Sequence, residues 1–414
     1  MRILLVSPVV GDAYGQERVL NESIRLLQSR SHEVLVLTDQ VVGSAPTANH
    51  LVAIPGLTLM HTLPAKAHAK ILKQLIHEIE ALNVDIVHLV EQFDPALMTY
   101  FAENFPLVMT AHTVAPTCPA SHRMVQGGGY CTRVSGWSCA LTHYSQQCLK
   151  DFPGIPHRLK AIGQHLNRTA ILKKHAHMIA NSDYIRRALV LDGWDPKRIS
   201  VVTNPIASVQ RITDLKNPIP NHFVVASRLV PMKGVEVLIK ALDRIKSLPW
   251  TVSICGDGEL SHSLKSLVQQ RGLQSQINFM GRLNYEKVQT LIAHSTALIQ
   301  PNLGVESFGM AVAEALALGV PVVCSDLPAL NELVSHQVQG LLTQAGNPDS
   351  LAQAIRRLIE EPGLRDQLAN EAAKFTAEAF QQKHLEATLE VYQKLVHYPL
   401  GDVKRTEFRK VAST

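Results

Sequence analysis

The sequence is poor in the features that mark a chain for a membrane, a nucleic acid or a dinucleotide. Its apolar runs, such as Ile3 to Val6 and Val34 to Leu37, are strand-length, far short of the roughly 20 residues that a bilayer span needs. The opening residues Met1 to Gly15 have neither a long apolar region nor a small-residue cleavage site, so a cytoplasmic protein is expected. Forty Lys and Arg stand against 35 Asp and Glu, a net charge of only +5, and no basic stripe is interleaved with aromatics. Nucleic acid is therefore not an expected partner. No C-x-x-C pair occurs among the six cysteines, which removes the thioredoxin-like spacing and leaves zinc only weakly indicated. No G-x-G-x-x-G fingerprint follows the first apolar run, so a nicotinamide dinucleotide is poorly supported.

What is present is an α/β rhythm. The chain has 414 residues, 46 % of them hydrophobic and 18 % charged, too long for one comfortable core and suited to two domains. Expected strands at Arg2 to Ser7 (ended by Pro8), Val34 to Leu37, Ile86 to Val90 and Leu107 to Thr110 alternate with helical stretches at Glu17 to Leu27, Lys66 to Leu82 and Ala96 to Glu103. Further strands are expected at Ala176 to Asn181 and Ile199 to Thr203. Such alternation predicts parallel sheets covered on both faces, with ligands beyond the carboxyl ends of the strands. Those ends carry Gly11 to Gly15, Glu91 and Ala111-His112-Thr113. A proline-bearing stretch, 208–221, has linker composition and divides a first domain, 1–207, from a second, 222–396. The second restarts the rhythm with strands at Phe223 to Ala226, Thr251 to Cys255 and Ile277 to Met280, and closes with helices at Pro348 to Glu361 and Leu364 to Val396. The tail, 397–414, reads as mobile.

Two stretches of the first domain stand apart. Cys118, Cys131, Cys139 and Cys148 cluster in a glycine-bearing loop at about 113–156, read as a structured cover over one side of the site, whereas Cys255 and Cys324 end apolar strands and read as core. Arg158, Lys160, Arg168, Lys173, Lys174, Arg186 and Arg187 have only Asp183 nearby. Such a run is ordinarily a solvated helix face, with peripheral membrane contact the sharper reading.

The densest signal is Ala297 to Leu333. It reads as a strand ended near Pro301, a loop through Gly304 and Gly309, a helix from Met310 to Leu318, and a strand from Val320 to Cys324. Glu314 lies in a helix apolar on every face, where a carboxylate needs either a partner from the core or a hydroxyl-rich ligand. Phe308-Gly309-Met310 opens that helix, offering backbone N–H groups and a positive dipole end to a ligand. Upstream, Arg228 and Lys233 flank a turn leading into another helix, a placement suited to a diphosphate, although the same pair could be solvated loop cations.

Glu306, seven residues, then Glu314, with Phe308-Gly309 inside and Gly319-Val320-Pro321-Val322 after, resembles the signature of family 4 of the retaining glycosyltransferases, the group 1 glycosyl transferases of GT-B fold. The resemblance implies two doubly wound Rossmann-like domains facing a cleft, with the acceptor on the first and a nucleotide-diphosphate sugar on the second. It also implies sugar transfer with retention of configuration, no metal, and no cofactor, the donor being a substrate. His112, Glu306, Arg228 and Lys233 match the positions that act on the reacting sugar and leaving diphosphate. Gly15, Arg228, Lys233, Gly256, Arg282, Phe308, Gly309, Met310 and Glu314 match donor-binding positions. Tyr14, Ala329 and Leu330 stand where the family usually has glycine, and the last helix is expected to cross back onto the first domain. The implied acceptor is a glycan or a lipid-linked molecule, the latter placing the enzyme at the inner face of the membrane. An epimerase or phosphorylase on the same architecture, and a non-catalytic carbohydrate-binding homologue, are the competing expectations.

Overall fold

A computed structural model describes residues 1–11, 15–123, 131–141, 148, 154–207 and 219–397. The expected linker core at 208–218, the tail after His397, Tyr14 and parts of the cysteine loop lie outside the described residues. The chain divides into two compact units, Met1–Pro205 with Gln381–Thr414, and Ile206–Phe380.

In the first unit the elements run β1 (Arg2–Gly11), α1 (Gly15–Ser29), β2 (Glu33–Val42), β3 (His50–Ala53), α2 (Ala65–Ala81), β4 (Ile86–Leu89), α3 (Pro95–Asn104), β5 (Leu107–Ala111), α4 (Gly154–His175), β6 (His177–Ala180), α5 (Asp183–Leu191) and β7 (Ile199–Val201). They form a seven-stranded sheet in the order β3-β2-β1-β4-β5-β6-β7, every pairing parallel. The strands are continuous apolar runs because helices cover both faces. Pro8 does not end β1. Its neighbour β4 pairs only along Ile3 to Val6, so beyond Val6 one side of β1 needs no donor and a proline is tolerated there. The short edge strand β3 was not expected from the sequence, because its residues are half exposed and show no clean alternation.

The second unit runs β8 (His222–Ala226), α6 (Val235–Asp243), β9 (Thr251–Cys255), α7 (Ser261–Arg271), β10 (Ile277–Gly281), α8 (Tyr285–Ala293), β11 (Ala297–Gln300), α9 (Met310–Ala317), β12 (Val322–Ser325), α10 (Leu330–Leu333), β13 (Gly340–Thr343), α11 (Pro348–Glu360) and α12 (Pro362–Ala372). Its sheet order is β10-β9-β8-β11-β12-β13, again parallel throughout. Two apolar cores, one on each face, hold it.

The single helix expected from Leu364 to Val396 is two, α12 and α13 (Ala377–His397). Phe375 turns into the core beside Phe380, with ring centroids 6.4 Å apart. The Thr376 hydroxyl then accepts from the Ala379 N–H at 3.1 Å, restarting the helix as a cap. From Gln381 onward α13 belongs to the first unit, where Leu385, Val391, Tyr392 and Leu395 join the core of β1, β2 and β4.

In each sheet the strand order reverses beside the first strand, between β1 and β4 and between β8 and β11. Loops leaving the carboxyl ends there diverge and leave room for a ligand. Those loops carry Glu91 in the first unit, and Arg228, Lys233 and Glu306 in the second.

Candidate functional site

In the second unit the pairing of β8 with β11 brings the loop after β8 against the loop after β11. The approach is close. Gly234 has φ +68°, and a Cβ there would lie 1.8 Å from the Pro301 carbonyl oxygen. Only glycine fits that turn. Gly256, at φ +141°, is similarly pressed, its Cβ position 1.9 Å from the Ser227 carbonyl oxygen.

Lys233 and Glu306 meet as an ion pair, Nζ donating to Oε1. The same oxygen accepts from Asn302 Nδ2 at 2.6 Å and more weakly from Gln300 Nε2 at 3.5 Å. Burial alone would raise the Glu306 pKa, but the Lys233 ammonium and these donors outweigh it and hold the carboxyl below its ordinary range. Glu306 is thus a fixed anion. These bonds all fall on Oε1, so Oε2 keeps its lone pairs, and the ammonium keeps donors beyond the one Glu306 uses. Asn302 and Gln300 were missed in the sequence. The signal was Gln300-Pro301-Asn302, polar residues at a buried strand end.

Other expected residues sit differently from one another. Arg228 and Arg282 are exposed. Phe308 is a core residue, only 3 % exposed and T-shaped against Phe380 at 6.4 Å between centroids. Met310 packs at the edge of the same core. Gly309 has φ +97°, and the Leu330 side chain lies 2.7 Å from its Cβ position, so the glycine serves the packing of α10 as well as the uncapped start of α9. Ala329 adopts φ +67°, the left-handed region that suits the glycine the family uses there.

Glu314 has a protein partner. Its Oε2 accepts from Gln289 Nε2 of α8 at 2.9 Å, both residues being buried. If this bond is its main role, Glu314→Gln is expected to lower the thermal midpoint while calorimetric titration with nucleoside diphosphate stays unchanged. If the carboxylate also accepts from a nucleotide hydroxyl, affinity is expected to fall by about 1.5 to 3 kcal/mol, the usual effect of losing a charged hydrogen bond.

In the first unit, β4, β5 and α4 enclose a cavity of about 280 Å³ lined by Glu91, Gln92, His112, Thr113, His165 and Arg168 among others. Gly15 opens α1, and the next residue, Gln16, donates from Nε2 to Glu91 Oε1 at 3.3 Å. Burial pushes the Glu91 carboxyl upward against that bond. Beneath lies a polar chamber. His88 Nδ1 meets the Tyr392 hydroxyl at 2.5 Å and its Nε2 the Thr110 hydroxyl at 2.7 Å. His384 Nε2 meets the Ser23 hydroxyl and its Nδ1 the Thr203 carbonyl oxygen, both at 2.9 Å. His112 lines both spaces.

Burial lowers the pKa of His88 to about 3 and those of His112 and His384 to about 4. Each is neutral when folded. An unfolded histidine binds its proton near pH 6.5, so the stability these groups contribute is full above pH 6.5 and is lost as pH falls toward 4. The thermal midpoint is expected to drop between pH 6.5 and 4.5, each group adding a slope of at most about 1.4 kcal/mol per pH unit. His384→Gln is expected to flatten that limb. An unchanged slope would assign the protons to other groups.

The basic run is not one patch. Arg186 and Arg187 pair with Asp183, Lys173 pairs with buried Asp192, and Arg168 lines the cavity. Asp192 also binds Arg123 and the Ser135 N–H, tying the described part of the cysteine loop to α4 and α5. Cys118 lines the cavity, and all four loop cysteines are half-buried free thiols. Burial, reinforced by the neighbouring thiols, raises the pKa of Cys139 and Cys148. Among the described residues no group of three or more His, Cys, Asp or Glu is placed to hold a metal ion.

Two family models match in succession, "Glycosyltransferase Family 4" over residues 13–208 and "Glycosyl transferases group 1" over residues 210–375. The chain belongs to this glycosyltransferase family. It is 31 % identical over 168 residues to an uncharacterized glycosyltransferase of Methanocaldococcus jannaschii, covering 40 % of this chain and 43 % of that one. The chain thus spans under half the length of such curated relatives. A D-inositol 3-phosphate glycosyltransferase of Jonesia denitrificans is 24 % identical over 400 residues, 88 % of this chain and 87 % of the relative. The crystal structure of Anabaena HepE with UDP superposes with a TM-score of 0.64 at 20 % identity, covering 94 % of this chain and 100 % of that one. The two Rossmann-like units of this family 4 chain therefore have the fold of GT-B glycosyltransferases.

Proposed function

We propose that the protein transfers a sugar, with retention of configuration, from a nucleotide-diphosphate sugar to an acceptor hydroxyl of a glycan or lipid. The observation that carries this reading is the Lys233–Glu306–Asn302 constellation at the turn before α9. A glycosyl transition state needs the departing diphosphate stabilised and the cationic sugar held. Lys233, Arg228 and the start of α9 meet the phosphates, Glu306 Oε2 accepts from a sugar hydroxyl, and Glu314 stands one turn further along the same helix. His112 positions the reacting sugar with Glu306, and Glu91 serves the acceptor side. Relatives and neighbours support the donor class, since HepE has been crystallised with UDP-glucose. No helix among the described residues is long and apolar enough to cross a membrane. Exposed Trp137, Leu141, Ile155 and Leu159, near exposed Lys160, support a peripheral contact with a lipid surface instead.

The deciding assay measures nucleotide release from uridine, guanosine and adenosine diphosphate sugars, with and without added acceptor lipids and glycans. Acceptor-dependent release with an axially linked product from an axially linked donor supports the reading. Release balanced by free sugar epimer, with no acceptor effect, would replace it by an epimerase. No nucleotide binding at all would leave only a carbohydrate-binding role.

A further inference from the structure

We propose that Glu91 is the general base of the transfer, its carboxylate taking the proton of the acceptor hydroxyl as that oxygen bonds to the sugar. This rests on the glycosyltransferase reading and names the group that activates the acceptor for it.

Glu91 leaves the carboxyl end of β4 where the strand order reverses between β1 and β4, the place at which a doubly wound sheet holds its ligand. Leu89 pairs with Met109, so Glu91 and His112 emerge from neighbouring strands at nearly the same level. Both line the cavity of about 280 Å³. Among the described residues the carboxylate accepts one hydrogen bond, from Gln16 Nε2 to Oε1 at 3.3 Å, and no Lys or Arg pairs with it. That bond leaves Oε2 unpaired, and Oε2 is not among the atoms shut off from solvent. A half-buried carboxylate ordinarily has a cation or several donors, and a single long bond is a thin supply.

The other titratable groups at the cavity do not fill the gap. Burial holds His112, after β5, and His165, on α4, near a pKa of about 4, so both are neutral at pH 7. Arg168 on α4 acts with Asp94 instead, and Cys118 is a free thiol. Glu17 and Arg18 follow Gln16 on α1, and neither shifts Glu91. Burial therefore raises the carboxyl, opposed only by Gln16. An unpaired carboxylate with a raised pKa suits proton abstraction. In the step, the acceptor oxygen bonds to the anomeric carbon while the bond from that carbon to the diphosphate breaks. The electron pair of the broken bond leaves with the nucleoside diphosphate. The hydroxyl proton goes to Glu91 and passes to water once the product departs.

The test uses the full chain, with UDP-, GDP- and ADP-glucose as donors and water and azide as acceptors. Water must lose a proton to form the new bond, and azide has none to lose. Glu91→Gln is expected to slow nucleotide release in water about a hundredfold or more, while calorimetric affinity for the nucleoside diphosphate stays unchanged. Azide is expected to restore release to within about tenfold of wild type, with glucosyl azide as the product. Glu306 is held below its ordinary range and titrates lower, so the acid limb of the wild-type rate profile belongs to Glu91. Gln16→Leu removes the one donor that lowers the Glu91 pKa, and is expected to move that limb to higher pH. This variant keeps the carboxylate in place should Glu91→Gln fold poorly. Release in water by Glu91→Gln within about tenfold of wild type would hand the proton to the departing phosphate and overturn the proposal. An equal loss in water and azide, or an acid limb unmoved in Gln16→Leu, overturns it as well. A wild type that releases nucleotide from no donor sinks the glycosyltransferase reading and this proposal with it, a result distinct from an active wild type matched by its variant.

Discussion

Lys233→Ala is expected to lower sugar transfer by about a hundred- to a thousandfold, the loss of roughly 2.7 to 4 kcal/mol that follows removal of one preorganised charge-stabilising donor. The ammonium is held in place before any ligand arrives, by Glu306 and through the glycine turn that presses Gly234 onto Pro301. On the proposed reading it needs no rearrangement when charge develops on a leaving diphosphate. The substitution reaches further than one contact, because it also strips Glu306 of its cation. Burial then acts on that carboxyl opposed only by Asn302 and Gln300, so its pKa is expected to rise and the acid limb of the rate profile to move to higher pH. Glu306→Gln keeps the shape and removes the charge, and is expected to depress turnover more than nucleotide affinity. Since the two side chains touch, the double variant should lose little more than the worse single one. Steady-state rates on all four proteins check this. Losses that multiply would show that the pair does not act as a unit, and a Lys233→Ala effect under about tenfold would return Lys233 to a solvated loop cation.

Asp192→Ala is expected to destabilise the first unit by about 3 to 5 kcal/mol, the usual result of removing one partner of a buried ion pair. Asp192 is 0 % exposed and Arg123 2 %. The aspartate meets Arg123 at 3.3 Å, Lys173 at 3.0 Å and the Ser135 N–H at 2.7 Å. Arg123 in turn donates to the Cys131 and Arg133 carbonyl oxygens at 3.0 and 3.1 Å. Without Asp192 the buried Arg123 guanidinium keeps its bonds to Thr117, Cys131 and Arg133 but loses its only carboxylate, and the contacts that fix Cys131 slacken. The thermal midpoint is expected to fall by roughly 10 °C, scaled for a unit of this size. Labelling of Cys131 and Cys139 by a thiol reagent should quicken. A shift below about 2 °C with unchanged labelling would show that the loop is held by other contacts. The cysteine spacing alone does not reveal this anchor. Its centre is an aspartate at the end of α5, more than 40 residues beyond the last loop cysteine.

The class of the protein was legible in the chain alone. Continuous apolar runs of strand length, alternating with amphipathic stretches, point to parallel sheets covered on both faces, because a strand buried on both sides carries mainly apolar residues. The spacing from Glu306 to Glu314, with glycines where the backbone turns, also placed the candidate residues beyond strand ends. These are local facts, carried by periodicity and by backbone angles that few residues tolerate. Which groups face each other was decided by the tertiary structure. Lys233 and Glu306 are 73 positions apart and meet because β8 and β11 are neighbours in the sheet. Phe308, next to the motif glycine, turned inward because Phe380 offers an aromatic face there. Glu314 found Gln289 on α8, and Arg168, one cation in a run that reads as solvated, was drawn over a cavity instead. Pro8 was tolerated inside β1 because the neighbouring strand stops at Leu89. Each of these outcomes depends on strand order and on which faces end up dry, and those are set by packing between segments far apart in the chain.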